Sequence, residues 1–221
     1  TTPVGMYPEV GVSPVDLKLF PRLGCVVDII YNPAKTAFML QAESMGIPAV
    51  GGLAMLVAQA KYAADLFTGK KQKEAIIEKI RKKINSEMKN IVLIGMPGCG
   101  KSIIGKRLAV LLGREWIDID EEIVRAAGKS IPEIFSEDGE EAFRRLETKC
   151  VAAAGAKSGC VISTGGGVVT RAENKDLLRQ NGTVVYIRRE MSKTYKNQLS
   201  AGQTDAQQSR PLLAKHTPEE L

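Results

Sequence analysis

Aromatic side chains are scarce in this sequence, where Phe, Trp and Tyr together make up 5% of 221 residues. Histidine occurs once, as His216, and because no partner residue is in view we expect it at the surface. The chain has no apolar run near the roughly 18 residues that a bilayer-spanning helix needs. It also opens with no signal-peptide pattern. These absences argue against a membrane partner and favour a cytoplasmic location.

Cysteine is also sparse, with four residues and no C-x-x-C pair. The four positions have mostly apolar neighbours, which indicates reduced thiols and not a zinc site. The cysteines are Cys25, Cys99, Cys150 and Cys160.

The net charge of +6 suggests a nucleic-acid partner, but its distribution argues against one. Residues 70–89 contain eight Lys or Arg and three Asp or Glu, so this stretch alone carries +5. Its isoleucines recur at helical spacing, which predicts an amphipathic helix over about 71–86 with its lysines in solvent. No aromatic residues interleave with the basic ones, as they often do where bases are stacked. We therefore expect a semi-rigid linker helix.

The stretch Gly95–Ser102 fits the pattern G-x-x-x-x-G-K-[ST]. It follows an apolar strand predicted over 90–94 and precedes a helical pattern, which is the context that a phosphate-binding loop requires. Its backbone N–H groups and the helix dipole would favour an anion. Lys101 would add a charge at the outer phosphates, and the Ser102 hydroxyl would bind Mg²⁺. Cys99 is expected to be a small filler residue in this loop.

Three further features follow the loop. Asp118 and Asp120 end a predicted strand, where residues i and i+2 share a face and could enter one pocket; alternatively they cap a helix that opens at Glu121. Arg144 and Arg145 lie about 100° apart on a predicted helix, so only one can face a cleft. Thr164–Gly167 follows a strand and would flank the phosphate loop, although an ordinary tight turn is also consistent with it.

Residues 90–221 resemble shikimate kinase, in order and at suitable spacing. The blocks that carry the resemblance are Gly95–Ser102, Asp118–Asp120, Ile131–Phe135, Gly139–Glu140, Phe143–Arg144, Glu147, Thr164–Gly167 and Arg210–Leu213. The resemblance implies that Asp120 grips the shikimate hydroxyls beside the attacking oxygen, Arg144 pairs with the carboxylate and Gly166 offers its backbone. It also implies ATP binding and a Mg²⁺ held by Ser102 and, in the outer shell, Asp118. The implied ATP-binding residues are Gly98, Cys99, Gly100, Lys101, Ser102, Ile103 and Arg210.

Residues 1–69 resemble the C-terminal end of shikimate dehydrogenase. The matching blocks are Thr1–Met6, Asp28–Pro33 with Thr36, and Gly51–Ala60. The resemblance implies that Ile29 and Gly52 line the NADP nicotinamide, while Tyr31 and Gln59 contact shikimate. The family's catalytic Lys and Asp and its glycine-rich dinucleotide loop do not occur in this sequence, so we expect no hydride transfer from this stretch. Tyr31 and Gln59 then have a structural alternative, as a packed aromatic and a helix-surface amide.

The sequence thus predicts an α/β fold: a P-loop kinase with a parallel sheet flanked by helices, preceded by a partial Rossmann-type strand and helices. The expected domains are 1–69, a linker at 70–89, and 90–221, with the family pattern incomplete at both ends. The expected activity is ATP-dependent phosphorylation of shikimate by a kinase part that is monomeric. Alternatives are another small-molecule kinase, for gluconate or a nucleoside monophosphate, or a non-catalytic nucleotide-binding fragment.

Overall fold

A computed structural model describes residues 3–189. Their contacts divide into two units, with the boundary between Lys89 and Asn90. The N-terminal unit includes Arg179–Gly182, and the second unit continues from Thr183. Within residues 3–189, no helix combines the length and apolar character needed to cross a membrane.

The N-terminal unit is built on two short parallel strands, β1 (Val26–Val27) and β2 (Ala49–Val50). The helix α1 (Ala37–Ser44) connects them and is capped by the Thr36 hydroxyl, which accepts a hydrogen bond from the Met39 N–H, as its sequence predicts. A small core of buried Leu17, Val26 and Ala42 lies beneath this layer. The strand β1 is short because the Asp28 carboxylate accepts from the Ile30 N–H and the Thr36 hydroxyl and turns the chain after Val27.

Two helices complete the N-terminal unit: α2 (Leu53–Thr68) and α3 (Ala75–Met88). The first ends at Gly69, whose φ of +67° favours glycine. Lys61 on α2 bonds to Asp65 and to Glu74, each at 2.9 Å, and so ties the end of the connection back to α2. The basic helix therefore begins four residues later than the predicted start at 71, and it packs on α2.

The second unit contains a four-stranded sheet in the order β4-β5-β3-β6, which confirms the α/β fold expected from the sequence. Its strands are β3 (Asn90–Ile94), β4 (Trp116–Asp118), β5 (Val161–Ser163) and β6 (Gly182–Tyr186). The pairs β3–β5 and β4–β5 are parallel. Val92, Val161 and Ile162 on the central strands have no exposed surface, as expected for a parallel sheet covered on both faces.

The helices that begin in this unit are α4 (Lys101–Leu112), α5 (Ile119–Ala127), α6 (Ile131–Glu133), α7 (Gly139–Ala156) and α8 (Ala172–Asn181). The short α6 has a capping box in which Ser130 and Glu133 bond to each other's backbone N–H. A π-helical turn, Ile134–Asp138, joins α6 to α7. Phe143, Val151 and Ala154 on α7 pack with Ile119 and Ile123 on α5 in the main core, which fixes α7 beside the sheet.

Candidate active site

The predicted phosphate loop lies between β3 and α4, where parallel sheets place their ligands. Gly98 and Gly100 have φ values of +78° and +99°, which other residues rarely adopt, so the loop needs glycine at both positions. The Lys101 Nζ donates to the carbonyls of Gly95 at 2.8 Å and Met96 at 2.9 Å, and only 7% of Lys101 is exposed. The lysine is therefore held across its own loop.

The other residues expected to bind ATP lie at the head of α4. Ser102 and Ile103 are exposed in its first turn, whereas Cys99 is buried and its Sγ lies 3.8 Å from the Lys101 Nζ. Arg210, the remaining expected phosphate ligand, lies outside the described residues, as does His216. The first turn of a helix presents N–H groups that have no partner within the helix, so this end of α4 can bind an anion.

Asp118 and Asp120 do not share a strand, which corrects the sequence-based argument. The strand β4 ends at Asp118, whose Oδ1 accepts from the Asp120 N–H at 3.0 Å and so caps α5. Asp120 lies in the first turn of that helix, which opens at Ile119 and not at Glu121. The strand stops early because this cap, with φ and ψ of −106° and 119° at Asp118, starts the helix immediately.

The loop Gly165–Gly167 touches both halves of the site. A Cβ built on Gly165 would lie 2.9 Å from Asp120 Oδ1, and one on Gly166 would lie 2.5 Å from Pro97 of the phosphate loop. A Cβ on Gly167 would lie 2.7 Å from both terminal nitrogens of Arg144. The approach of Gly166 to the Pro97 ring and backbone leaves no room for a side chain, whereas a side chain at Gly165 or Gly167 would displace the end of Asp120 or Arg144. The three approaches bring Asp120, Arg144 and the phosphate loop around one short segment.

Arg144 faces this loop, and Arg145 is exposed, so the expected division between the two arginines is found. Arg144 is 6% exposed, and its guanidinium donates to Glu147 at 2.8 Å and, at 3.4 Å, to Glu140. Glu147 is 1% exposed, so this is a buried ion pair. Glu147 had no predicted role, although opposite charges three residues apart on a helix are a recognisable signal. Glu141, on the same helix, pairs with Arg171.

The cysteines of the described chain form no disulfide. Burial, followed by the negative charges of Glu122 and Glu147, raises the pKa of the Cys150 thiol. Cys150 therefore remains protonated at neutral pH and packs as an apolar group in the main core.

The oxygen ligands expected for Mg²⁺ come from two elements, the Ser102 hydroxyl on α4 and the Asp118 carboxylate on β4. In residues 3–189, no group of three or more His, Cys, Asp or Glu side chains is arranged to hold a metal ion. The chemistry of the two oxygen donors fits Mg²⁺, which in phosphoryl-transfer sites takes one or two protein oxygens together with water and phosphate oxygens.

The residues expected to form a dehydrogenase site lie in the N-terminal unit. A cleft of about 400 Å³ is lined in part by Tyr31, Gly51 and Gly52, and by Arg81 and Asn85 from α3. Gly52 packs so closely on the Ile29 carbonyl that a Cβ would lie 1.9 Å from its oxygen. Gln59 is exposed on α2 and does not line the cleft, so the structure brings together only part of the expected set.

Comparison with known proteins identifies the second unit. The shikimate kinase family matches residues 97–221, more than half of the chain. The chain belongs to the shikimate kinase family. A shikimate kinase from Acinetobacter baumannii (strain AYE) is 40% identical over 135 residues, which cover 59% of this chain and 69% of that protein. The family assignment makes the chain a kinase, a phosphotransferase enzyme.

Solved structures agree with this family. A shikimate kinase from Acinetobacter baumannii in complex with shikimate is 36% identical, covers 60% of this chain and 78% of that chain, and gives a TM-score of 0.52. A chorismate mutase/shikimate 5-dehydrogenase fusion protein from Clostridium acetobutylicum is 40% identical and covers 38% of this chain and 30% of that chain. Its TM-score is 0.36.

Proposed function

We propose that this chain transfers the γ-phosphoryl group of ATP to a hydroxyl of shikimate, giving shikimate 3-phosphate and ADP. The observation that carries the proposal is the position of Gly165–Gly167 against Pro97 on one side and against Asp120 and Arg144 on the other. A phosphate-binding loop and a carboxylate–arginine pair thus meet at one segment. Phosphoryl transfer needs such a meeting, because its catalysis depends largely on positioning and charge stabilisation.

On the phosphate side, Lys101 would exchange its bonds to two loop carbonyls for bonds to phosphate oxygens. The carbonyls hold the ammonium group in the loop, so the charge is in place before nucleotide binds. The backbone N–H groups of 98–103 would surround the β-phosphate. Arg210 would add a second charge on the transferred group, by the resemblance to the family alone.

Ser102 and Asp118 would hold Mg²⁺, Ser102 directly and Asp118 through water. When bound, Mg²⁺ would neutralise negative charge on the phosphates. The Asp118 carboxylate is already oriented by its bond to the Asp120 N–H, so one hydrogen bond fixes both the cap of α5 and the direction of Asp118. The residue that would hold Mg²⁺ through water, Asp118, is therefore hydrogen-bonded to the residue that would contact the acceptor, Asp120.

On the acceptor side, Asp120 would orient the shikimate hydroxyl and accept its proton as the new phosphorus–oxygen bond forms and the bond to ADP breaks. Arg144 would bind the shikimate carboxylate through its planar guanidinium. Its ion pair with Glu147 holds that guanidinium in the buried position, because a charge at 6% exposure needs a partner. Gly166 would offer its backbone to the substrate, where a side chain would collide with Pro97.

The test is ADP release with Mg-ATP and each of three acceptors: shikimate, gluconate and a nucleoside monophosphate. Release with shikimate alone is the expected result. If gluconate or the nucleoside monophosphate is phosphorylated and shikimate is not, then the assignment of shikimate as the acceptor is wrong. A chain that melts at higher temperature with Mg-ATP but releases ADP with none of the three would be a nucleotide-binding module instead.

We further propose that the N-terminal unit is the C-terminal part of a shikimate dehydrogenase domain within a bifunctional chorismate-pathway protein. The support is the three sequence blocks, together with the cleft at Tyr31 and Gly52. Weak NADPH binding that the Gly52→Ala substitution abolishes is expected, without oxidation of shikimate. Equal NADPH affinity of wild type and variant, measured by fluorescence titration, would contradict the assignment of Gly52.

A further inference from the structure

A buried serine lies at the carboxyl end of β5, the strand between β4 and β3 in the sheet of the second unit. Ser163 is the last residue of β5 and is 1% exposed. In register, it lies opposite Asp118 on β4 and opposite Leu93 on β3. Ser163 therefore lies between β3, which leads to the phosphate loop, and β4, which leads to Asp120. In the sequence it precedes Gly165 by two residues.

The Ser163 hydroxyl joins three segments. It donates to the Lys101 carbonyl at 3.2 Å and accepts from the Trp116 Nε1–H at 3.1 Å. We call this pair of bonds the hydroxyl bridge. Because Trp116 donates, the serine proton is left to point at Lys101. Lys101 is the first residue of α4, Trp116 begins β4, and Ser163 precedes the glycine loop.

A glycine on α4 provides the space for this bridge. A Cβ built on Gly105 would lie 2.3 Å from the Ser163 Oγ and 2.9 Å from the Trp116 Nε1. Both distances are shorter than real Cβ contacts, so any larger residue would displace the serine or the indole. The close approach of α4 to β5 and the hydroxyl bridge thus depend on each other.

We propose that Ser163 is a positioning residue for phosphoryl transfer, which sets the distance between the phosphate loop and the acceptor loop. The inference rests on the proposed kinase function. Ser163 touches neither substrate: it acts through the Lys101 backbone on one side and through its chain connection to Gly165 on the other. Trp116 is its partner, because the indole N–H fixes the direction of the hydroxyl.

This role predicts a particular kinetic signature. Without the bridge, each half of the site keeps its own residues, so the KM values for ATP and for shikimate change little. The relative position of the two halves is relaxed, and small misplacement of reacting groups can cost about 100-fold in rate. The loss should therefore appear in kcat.

The experiment compares Ser163→Ala, Trp116→Phe and the double variant with wild type. Ser163→Ala should lower kcat about 10- to 100-fold, and Trp116→Phe should lower it less, since the ring and the serine remain. The double variant should be no slower than Ser163→Ala, because both changes act through one hydroxyl. In Ser163→Ala the Trp116 indole N–H loses its hydrogen-bond acceptor, and the double variant removes this unsatisfied donor as well.

Val161→Ala is the matched control for packing. Val161 lies two residues earlier on the same face of β5 and packs with Leu93 and with Ala109 of α4. Its truncation should lower the melting temperature without changing kcat per folded molecule. Equal kcat losses in Val161→Ala and Ser163→Ala, or an Ser163→Ala variant with wild-type kcat, would overturn the proposal.

The wild-type measurement separates this inference from the proposed function. If wild type phosphorylates another acceptor, the shikimate assignment fails and the variants are compared on that acceptor. If wild type transfers phosphate to shikimate but the double variant shows the product of two independent losses, the shikimate assignment stands and the bridge is wrong. A wild-type chain that turns over none of the acceptors overturns both.

Discussion

Both units of this chain carry family motifs, but the motif residues are more buried and more closely packed in the second unit than in the N-terminal unit. In the second unit, Asp120 and Arg144 lie so close to the glycine loop that an added side chain would displace them, and Val92, Val161 and Ile162 of the central strands are fully buried. In the N-terminal unit, Tyr31 is 47% exposed, and the two strands β1 and β2 leave Val27 70% exposed. Among the described residues, neighbouring elements therefore hold the motif side chains of the second unit more tightly than those of the N-terminal unit.

The largest effect should come from the acceptor carboxylate. Asp120→Asn should lower kcat by about 10²- to 10⁴-fold, the usual contribution of a positioned general base. The Kd for Mg-ATP should stay near the wild-type value, because the backbone N–H groups of the phosphate loop supply most of the phosphate contacts. Turnover and calorimetric titration measure the two quantities. Wild-type turnover of the variant would refute the role of Asp120.

A pair of glycine substitutions compares the two units directly. Gly165→Ala places a Cβ 2.9 Å from Asp120 Oδ1 and 3.2 Å from Glu147 Oε1, so we expect up to about 100-fold loss of kcat from displaced groups. Gly24→Ala in the N-terminal unit meets no atom within 4 Å and should leave turnover unchanged. Similar kcat values for the two variants would show that the glycine loop is not part of the active site.

The carboxylate-binding arginine should give a smaller and more selective effect. Arg144→Lys replaces a planar fork with a point charge, and hydrogen bonds to charged groups contribute about 1.5 to 3 kcal/mol. We expect the KM for shikimate to rise by roughly 10- to 100-fold, with the KM for ATP nearly constant. Steady-state kinetics with each substrate varied tests this, and an increase confined to the KM for ATP would contradict the assignment.

The sequence predicted the strand–loop–helix at 90–112 from periodicity and glycine content, and the topology of parallel sheets predicted that Thr164–Gly167 would flank the phosphate loop. That Arg144 shares a site with Gly166 was implied only by the resemblance to the family. It did not predict that β4 ends at Asp118, since one side-chain cap decided that boundary. The hydroxyl bridge was also missed. Trp116, Ser163 and Lys101 are far apart in sequence, and only the strand register places them together.

The N-terminal unit should show a pH-dependent stability that depends on Lys61. Bonds from Lys61 lower the pKa of Asp65 and of Glu74 below their ordinary values of 3.8 and 4.5. Their contribution is therefore present above those values and is lost as the pH falls through the lowered ones. Melting curves from pH 7 to pH 3 should show less acid destabilisation in Lys61→Met than in wild type.

The control for that change is Lys79→Met, which replaces an exposed lysine on α3. Its melting temperature should follow the wild-type pH dependence. If Lys61→Met also follows wild type, then the bonds between α2 and the start of α3 contribute no acid-sensitive stability.

The smallest effect is expected at Gln59. This residue is exposed and lies outside the cleft of its unit, so Gln59→Ala should change neither the melting temperature nor the kinase turnover. Thermal unfolding and ADP release measure both. A loss of NADPH binding in this variant would show that the unit forms a more complete site than its cleft suggests.

The most direct test of the account is the identity of the product formed from Mg-ATP and shikimate. Phosphorus NMR of the wild-type reaction should show one new phosphomonoester, assigned to the 3-hydroxyl of shikimate, in amounts equal to the ADP released. The Asp120→Asn variant should show almost none. ADP formed together with free phosphate and no shikimate ester would contradict the claim that the phosphate loop and the acceptor residues form one transfer site.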